Sequence, residues 1–178
     1  RDGNLLDLRV NVSARQFASR SLVEEVSSAL EDSGLSPDRL CLEITETTLM
    51  GCIDAALVTL KALQSLGVRF AIDDFGTGFG SLVYLRRLPI NVIKIDRSFV
   101  SGLPASRVDS AIVSGIVGMA GALDIAVVAE GVESIDQQEA LIAIGVRNMQ
   151  GWLYARAMKQ DALLEVLATR ISGPTARH

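Results

Sequence analysis

Six short strand-like runs, each with a polar residue at or near its C-terminal end, alternate with helical stripes along these 178 residues, and this alternation restricts the fold more than any single motif. Leu6 to Ser13 sets Leu8, Val10 and Val12 against Arg9, Asn11 and Ser13, the period of two that marks a strand. Leu40 to Thr45 puts Leu42 and Ile44 on one face and Glu43 and Thr45 on the other. Arg69 to Asp73, Asn91 to Asp96, Ile125 to Glu130 and Asn148 to Leu153 complete the strands. The first helical stripe, Leu22 to Leu30, lies between a Ser21–Glu24 capping box and Gly34. Others run from about Ile53 to Leu66 before Gly67, and from about Asp109 to Leu123. The last two run from the Ser134–Gln137 capping pair to Gly145, and from about Asp161 to Thr169. One more short helix is expected to start at Ser81 and end before Pro89.

Strands joined through helices by short connections predict a parallel sheet, either doubly wound or closed into a barrel. The strand ends decide between them. Asn11, Glu43, Asp73, Lys94, Glu130 and Gln150 fall at or near the C-terminal ends of successive strands. A doubly wound sheet gathers functional residues at one switch point of strand order. Here every strand contributes one, as around the C-terminal mouth of a (β/α) TIM-type barrel. Residues 1–170 are therefore read as barrel, and 171–178 as a flexible tail.

One stretch carries most of the chemistry, Ala71-Ile72-Asp73-Asp74-Phe75-Gly76-Thr77-Gly78-Phe79-Gly80-Ser81-Leu82. Asp74 is read as lying just past its strand, free to turn towards Asp73. Neighbouring carboxylates repel unless a cation or a shared proton lies between them. An Asp pair followed by Gly76, Gly78 and Gly80 suits hard divalent metals. The same residues also suit a solvated turn. Oxygen donors favour Mg²⁺ or Mn²⁺, and with no inward His or Cys expected, zinc is disfavoured. Lys94 is read as the one inward cation, either beside a phosphate or in a salt bridge to Asp73 or Asp96.

Composition narrows the partners. Hydrophobic residues make up 49% of the chain and aromatic ones only 4%, so the core must be Leu, Ile, Val and Ala. A net charge of −4 argues against a nucleic-acid polymer. No apolar run reaches membrane-span length and no signal peptide opens the chain, so a cytoplasmic domain without membrane insertion is expected. Cys41 and Cys52 are then expected reduced and structural. Lacking an initiating Met and opening directly into a strand, the chain reads as cut from something longer.

Taken together, these motifs resemble the EAL-type cyclic di-GMP phosphodiesterases. The resemblance rests on Val10-Asn11-Val12-Ser13-Ala14-Arg15-Gln16-Phe17, Leu42-Glu43-Ile44-Thr45-Glu46, Asp73-Asp74-Phe75-Gly76-Thr77-Gly78, Lys94-Ile95-Asp96-Arg97-Ser98-Phe99, Glu130-Gly131-Val132-Glu133 and Gln150-Gly151. It implies an eight-stranded barrel, with about six βα units in this chain, that hydrolyses cyclic di-GMP to linear pGpG with two Mg²⁺ or Mn²⁺ ions. By resemblance, Asn11, Glu43 and Asp73 ligate one metal, while Asp73 and Asp74 hold the second. Lys94 contacts water or phosphate, and Glu130 is the general base or orients the water. Gln150 and Asp96 meet the substrate, and Glu46 anchors the Gly76-Thr77-Gly78 loop. The resemblance further implies a homodimer through the loop and helix after Asp74, with upstream sensory or GGDEF-type domains. The family's Glu-Ala-Leu motif, with two strands and helices, does not precede Asn11 in this sequence. The isolated chain is accordingly expected to be inactive. Phe79, Gly80, Trp152 and Ala157 replace residues more usual in the family. A non-catalytic cyclic di-GMP receptor is the alternative.

Overall fold

The structure, a computed structural model, describes residues 6–51, 53–78 and 85–171. Six strands, β1 (Leu8–Asn11), β2 (Leu40–Thr45), β3 (Arg69–Phe75), β4 (Val92–Ile95), β5 (Ala126–Ala129) and β6 (Asn148–Met149), pair in chain order. Every pairing is parallel. The sheet curls into a half-barrel of TIM type with helices outside. The described helices are α1 (Ala14–Phe17), α2 (Leu22–Ser33), α3 (Glu46–Gly51), α4 (Ile53–Ser65), α5 (Arg97–Val100), α6 (Arg107–Ala122), α7 (Ile135–Ile144) and α8 (Gln160–Ile171).

Alternation along each strand divides the interior in two. Outward residues such as Leu42, Ile44, Phe70, Ile72, Ile93 and Ile95 join Leu60, Leu63, Val113 and Leu141 in one large core between sheet and helices. On the inner face Cys41, Ala71, Val92 and Val128 form a separate small cluster. Two residues further along those same four strands stand Glu43, Asp73, Lys94 and Glu130. The half-barrel thus has an apolar floor and a charged layer above it.

Local signals explain most element ends. Gly34 and Gly145 close α2 and α7 in left-handed geometry, at φ 66° and 105°. Ser134 and Gln137 form the expected capping box. The expected box at Ser21 is not formed: its backbone is already right-handed helical, and its hydroxyl donates to Glu25 Oε1 at 2.5 Å. A cap needs extended backbone to aim its oxygen back at the first turn. Ser13 has that geometry, and Ser13–Gln16 makes a capping box that opens α1.

Among the described residues β1 and β6 do not pair, and the sheet is open at both edges. Leu8 and Val10 on the β1 edge are 50% and 40% exposed. The helix start at Ser81, Phe79, Gly80, Cys52 and the tail from residue 172 lie outside the described residues; α8 runs to Ile171, past the Thr169 boundary expected. No described helix is long and apolar enough to cross a membrane.

Candidate active site

The site is built around Lys94. Its Nζ lies 2.5 Å from Glu43 Oε2, 2.9 Å from Asp73 Oδ1 and 2.6 Å from Glu130 Oε1. An ammonium group has three donors, and three carboxylates brought in by β2, β3 and the end of β5 take them all. Lys94 and Glu43 are buried, at 3% and 6% exposure. Burial by itself pushes a lysine pKa down. Here the hydrogen bonds that Lys94 donates to Glu130, Glu43 and Asp73 outweigh it and hold Lys94 charged, its pKa well above the ordinary value.

Asp74 joins this group through a defect in the strand. β3 does not end at Asp73 but continues to Phe75. Ile72 pairs with Ile93 and Phe75 with Ile95, so β3 carries one extra residue against β4. That bulge turns Asp74 into left-handed backbone at φ 54°. Successive residues of a regular strand face opposite ways, yet here both carboxylates reach one side. Oxygens of Asp73, Asp74 and Glu130 all lie within 4.8 Å of one another. Burial raises the Asp74 pKa, and the charges of Asp73 and Asp96 raise it further. Glu130 is likewise raised, by burial first, against the opposing pull of Lys94.

Four carboxylates around one lysine leave an excess of negative charge, which is the condition for holding a divalent cation. Three clustered oxygen donors suit a hard ion. Two residues differ from expectation. Arg9 is a second inward cation, its Nη1 3.6 Å from Glu43 Oε1, so Lys94 is not alone. Cys41 does face inward, but on the floor, where burial raises its thiol pKa and keeps it protonated.

The remaining site residues divide by position. Asn11 pairs in register with Glu43 at the exposed β1 edge. Gln150 Nε2 donates to Glu130 Oε1 at 2.6 Å, so that oxygen accepts from both Gln150 and Lys94. Asp96 caps α5, accepting from the Ser98 N–H at 2.9 Å. Burial would raise its pKa, but the hydrogen bonds from Ser98 prevail and lower it. The buried Glu46 accepts from the Gly76 N–H at 2.9 Å, and a Cβ at Gly78 would come within 3.0 Å of its Oε1. Thr77 closes the turn by donating its hydroxyl to the Asp74 carbonyl at 2.8 Å.

A family model described as EAL domain matches residues 1–157. The chain belongs to the EAL domain family. It is 47% identical over 169 residues to MucR of Pseudomonas aeruginosa, named a bifunctional diguanylate cyclase and cyclic di-GMP phosphodiesterase. It is 46% identical over 162 residues to NbdA of the same organism, named a cyclic di-GMP phosphodiesterase. The matches cover 94% and 91% of this chain but 25% and 21% of those proteins, so the chain spans about a quarter of their length or less. The solved MucR phosphodiesterase in complex with c-di-GMP superposes with a TM-score of 0.85 at 47% identity, over 88% of this chain and 64% of that one. BlrP1 of Klebsiella pneumoniae, solved with manganese and the same dinucleotide, gives 0.79 at 36% identity over 84% of this EAL chain and 38% of that one. A calcium complex of BlrP1 gives 0.80 with the same identity and coverage.

The loop carrying Gln150 is also tied through its backbone to the segment after β5. Val132 N–H donates to the Gln150 carbonyl, and Leu153 N–H to the Val132 carbonyl, at 3.1 and 3.0 Å. Gly151 makes this possible: at φ 157°, a Cβ there would sit 2.2 Å from the Val132 oxygen. Rigid backbone cannot yield to that overlap. Gly151→Ala is expected to lower stability by about 3 kcal/mol, the upper end for backbone strain. Urea unfolding checks this, and a loss below about 1 kcal/mol contradicts the backbone contact.

Proposed function

We propose that this domain is the phosphodiesterase part of a cyclic di-GMP signalling protein, hydrolysing one phosphodiester bond to give linear pGpG. The observation that carries the reading is Lys94 held by Glu43, Asp73 and Glu130 beside Asp74, a charged layer ringing the C-terminal mouth. A hard divalent ion, Mg²⁺ or Mn²⁺, fits the donors Asn11, Glu43, Asp73 and Asp74, and when bound it supplies positive charge to the phosphate oxygens. Lys94 adds a fixed cation that no carboxylate can desert without exposing buried charge. Glu130 takes the proton of the attacking water. Its Oε1 is engaged by Lys94 and Gln150, while Oε2 accepts no hydrogen bond among the described residues. Gln150 thereby orients the base, and Asp96 contributes negative charge near Asp74 while ordering the start of α5. Glu46 holds the Gly76–Gly78 loop against the site.

The same proposal includes a homodimer through the loop and helix after Asp74, a sensory or GGDEF-type domain upstream, and a cytoplasmic location. A non-catalytic receptor is disfavoured because ligand binding alone does not require Asp73, Asp74 and Glu130 to converge. The test is chromatography of cyclic di-GMP incubated with the parent protein and Mn²⁺. Appearance of pGpG supports the reading, and tight binding without turnover overturns it in favour of the receptor. The chain of residues 1–178 alone is expected to be inactive in this assay.

Metal binding has its own readout. Saturating Mn²⁺, at about a hundredfold excess over Kd, is expected to stabilise the protein by about 2.7 kcal/mol, visible as a rise in Tm. Asp73→Asn should abolish the rise. Asp74 and Glu130 hold protons more tightly in the fold than in the unfolded chain, so without metal their contribution to stability falls as pH rises through their raised pKa values. Protons and metal compete for the same oxygens. The Mn²⁺-induced rise should therefore be larger at about pH 8 than at about pH 5. An equal rise in Asp73→Asn, or none at either pH, contradicts the site.

A further inference from the structure

Glu43 is the carboxylate of the charged layer that stands apart. Oxygens of Asp73, Asp74 and Glu130 lie within 4.8 Å of one another, and Glu43 is outside that trio although Lys94 ties it to two of its members. Both of its oxygens face cations. Oε2 accepts from Lys94 at 2.5 Å, and Oε1 lies 3.6 Å from Arg9 Nη1. The two contacts differ in kind. Lys94 is buried, and its nitrogen is within hydrogen-bond distance of all three partners. Arg9 is beyond that distance, and its side chain is 36% exposed. A partly solvated ion pair without a hydrogen bond adds little to stability and is readily broken.

Strand geometry puts Arg9 there. In the parallel pairing of β1 with β2, Arg9 stands opposite Cys41 and Asn11 opposite Glu43. Two residues apart, Arg9 and Asn11 share the inner face. Arg9 thus reaches Glu43 from the level of the apolar floor, whereas Asn11 lies level with Glu43. When ionised, Glu43, Asp73, Asp74 and Glu130 carry four negative charges, against two positive ones on Lys94 and Arg9. The two negative charges left over match one divalent ion.

We propose that Arg9 is a built-in counter-ion, paired with Glu43 in the metal-free protein and displaced from it when a divalent ion binds, so that Arg9 sets the metal affinity of the domain. This rests on the metal-binding reading above, in which Glu43 is a donor. Two effects act together. Glu43 must give up Arg9 before Oε1 can serve as a donor, and the guanidinium, tethered to β1, still repels the ion afterwards. A unit positive charge about 6 Å from a divalent ion opposes its binding by about tenfold even at the dielectric of water. Salt weakens that repulsion, since the screening length falls from about 10 Å at 0.1 M to about 3 Å at 1 M. Lys94 cannot play this part, because its release strands three carboxylates at once.

The experiment titrates Mn²⁺ into the 178-residue chain and its variants by calorimetry, at about 0.1 M and about 1 M KCl, with Tm followed alongside. Arg9→Gln should bind Mn²⁺ about tenfold more tightly than the unmodified chain at the lower salt, and the ratio should shrink to about threefold or less at the higher. Arg9→Lys keeps the charge and should stay within about threefold of the unmodified chain at both. Equal or weaker Mn²⁺ binding in Arg9→Gln overturns the counter-ion role and leaves the metal site standing. A gain that Arg9→Lys shares, or that high salt leaves untouched, reflects shape and not charge, and overturns it too. So does loss of the metal-free fold in Arg9→Gln, since a displaceable pair cannot be what holds the strand. Neither heat nor a rise in Tm with Mn²⁺ in any of the three proteins overturns the metal-binding reading itself, and the role of Arg9 with it.

Discussion

Replacing Lys94 by methionine is expected to lower the stability of the metal-free protein by about 3–5 kcal/mol, the range found when one partner of a buried ion pair is removed. Methionine approximates the stem and leaves the core filled, so the loss isolates the charge. Glu43, Asp73 and Glu130 all lie within 3 Å of the Lys94 nitrogen, and without it nothing at that distance offsets them. Arg9, at 3.6 Å and on the Glu43 side only, cannot serve all three. The sign with pH follows. In the unmodified protein the folded-state pKa of Lys94 is raised, so its stabilisation is complete at neutral pH and fades only in strong alkali. In the variant, the three carboxylates must either ionise against each other or take up protons. The penalty should shrink as pH falls through the carboxylate range, and Mn²⁺ should recover part of it at neutral pH. Urea unfolding with chelator and with Mn²⁺, at several pH values, measures all of this. A loss below about 1 kcal/mol that ignores both pH and metal would show that the lysine is a bystander.

Why Lys94, Glu43, Asp73 and Glu130 were legible as one group is a matter of strand period. Each stands two residues beyond a small or apolar inward residue, so alternation alone places the four on one face of a parallel sheet. β2 matches its expected span, Leu40–Thr45, at both ends, whereas β3 runs two residues past Asp73 and β6 covers only Asn148–Met149 of the expected 148–153. The bulge was not legible. It exists because Phe75 pairs with Ile95 while Ile72 pairs with Ile93, and such a register belongs to two strands together. The position of Asp74 depends on it. Arg9 was visible on the Asn11 face, yet its reach to Glu43 depends on how closely β1 and β2 approach. Ser21 misled for a related reason: the Ser-x-x-Glu spacing was present, but the preceding turn had already set the backbone angle.

Glu130→Gln in the parent protein is expected to lower kcat by about 10²–10⁴-fold, with KM little changed, as for loss of a general base. Glutamine keeps the shape and can still meet Lys94 and Gln150, so the fold should survive; what disappears is an oxygen that takes a proton. The pH profile separates this role from mere support. Burial raises the Glu130 pKa, and the negative charges of Asp73 and Glu43 add to that, with Lys94 pulling the other way. A base must be ionised to act, so activity should fall as pH drops through a value above the ordinary glutamate range. A metal ion bound beside it would lower that value, so the acid limb should move down as Mn²⁺ replaces a weaker ion. Glu130→Gln should lose the limb entirely and retain a flat residual rate. Gln150→Ala provides the contrast: the base remains, one donor to its Oε1 is gone, and the limb should move upward while persisting. If Glu130→Gln keeps both the limb and a kcat within about threefold of the parent, the proton goes elsewhere. Glu130 is then a structural partner of Lys94 and no more.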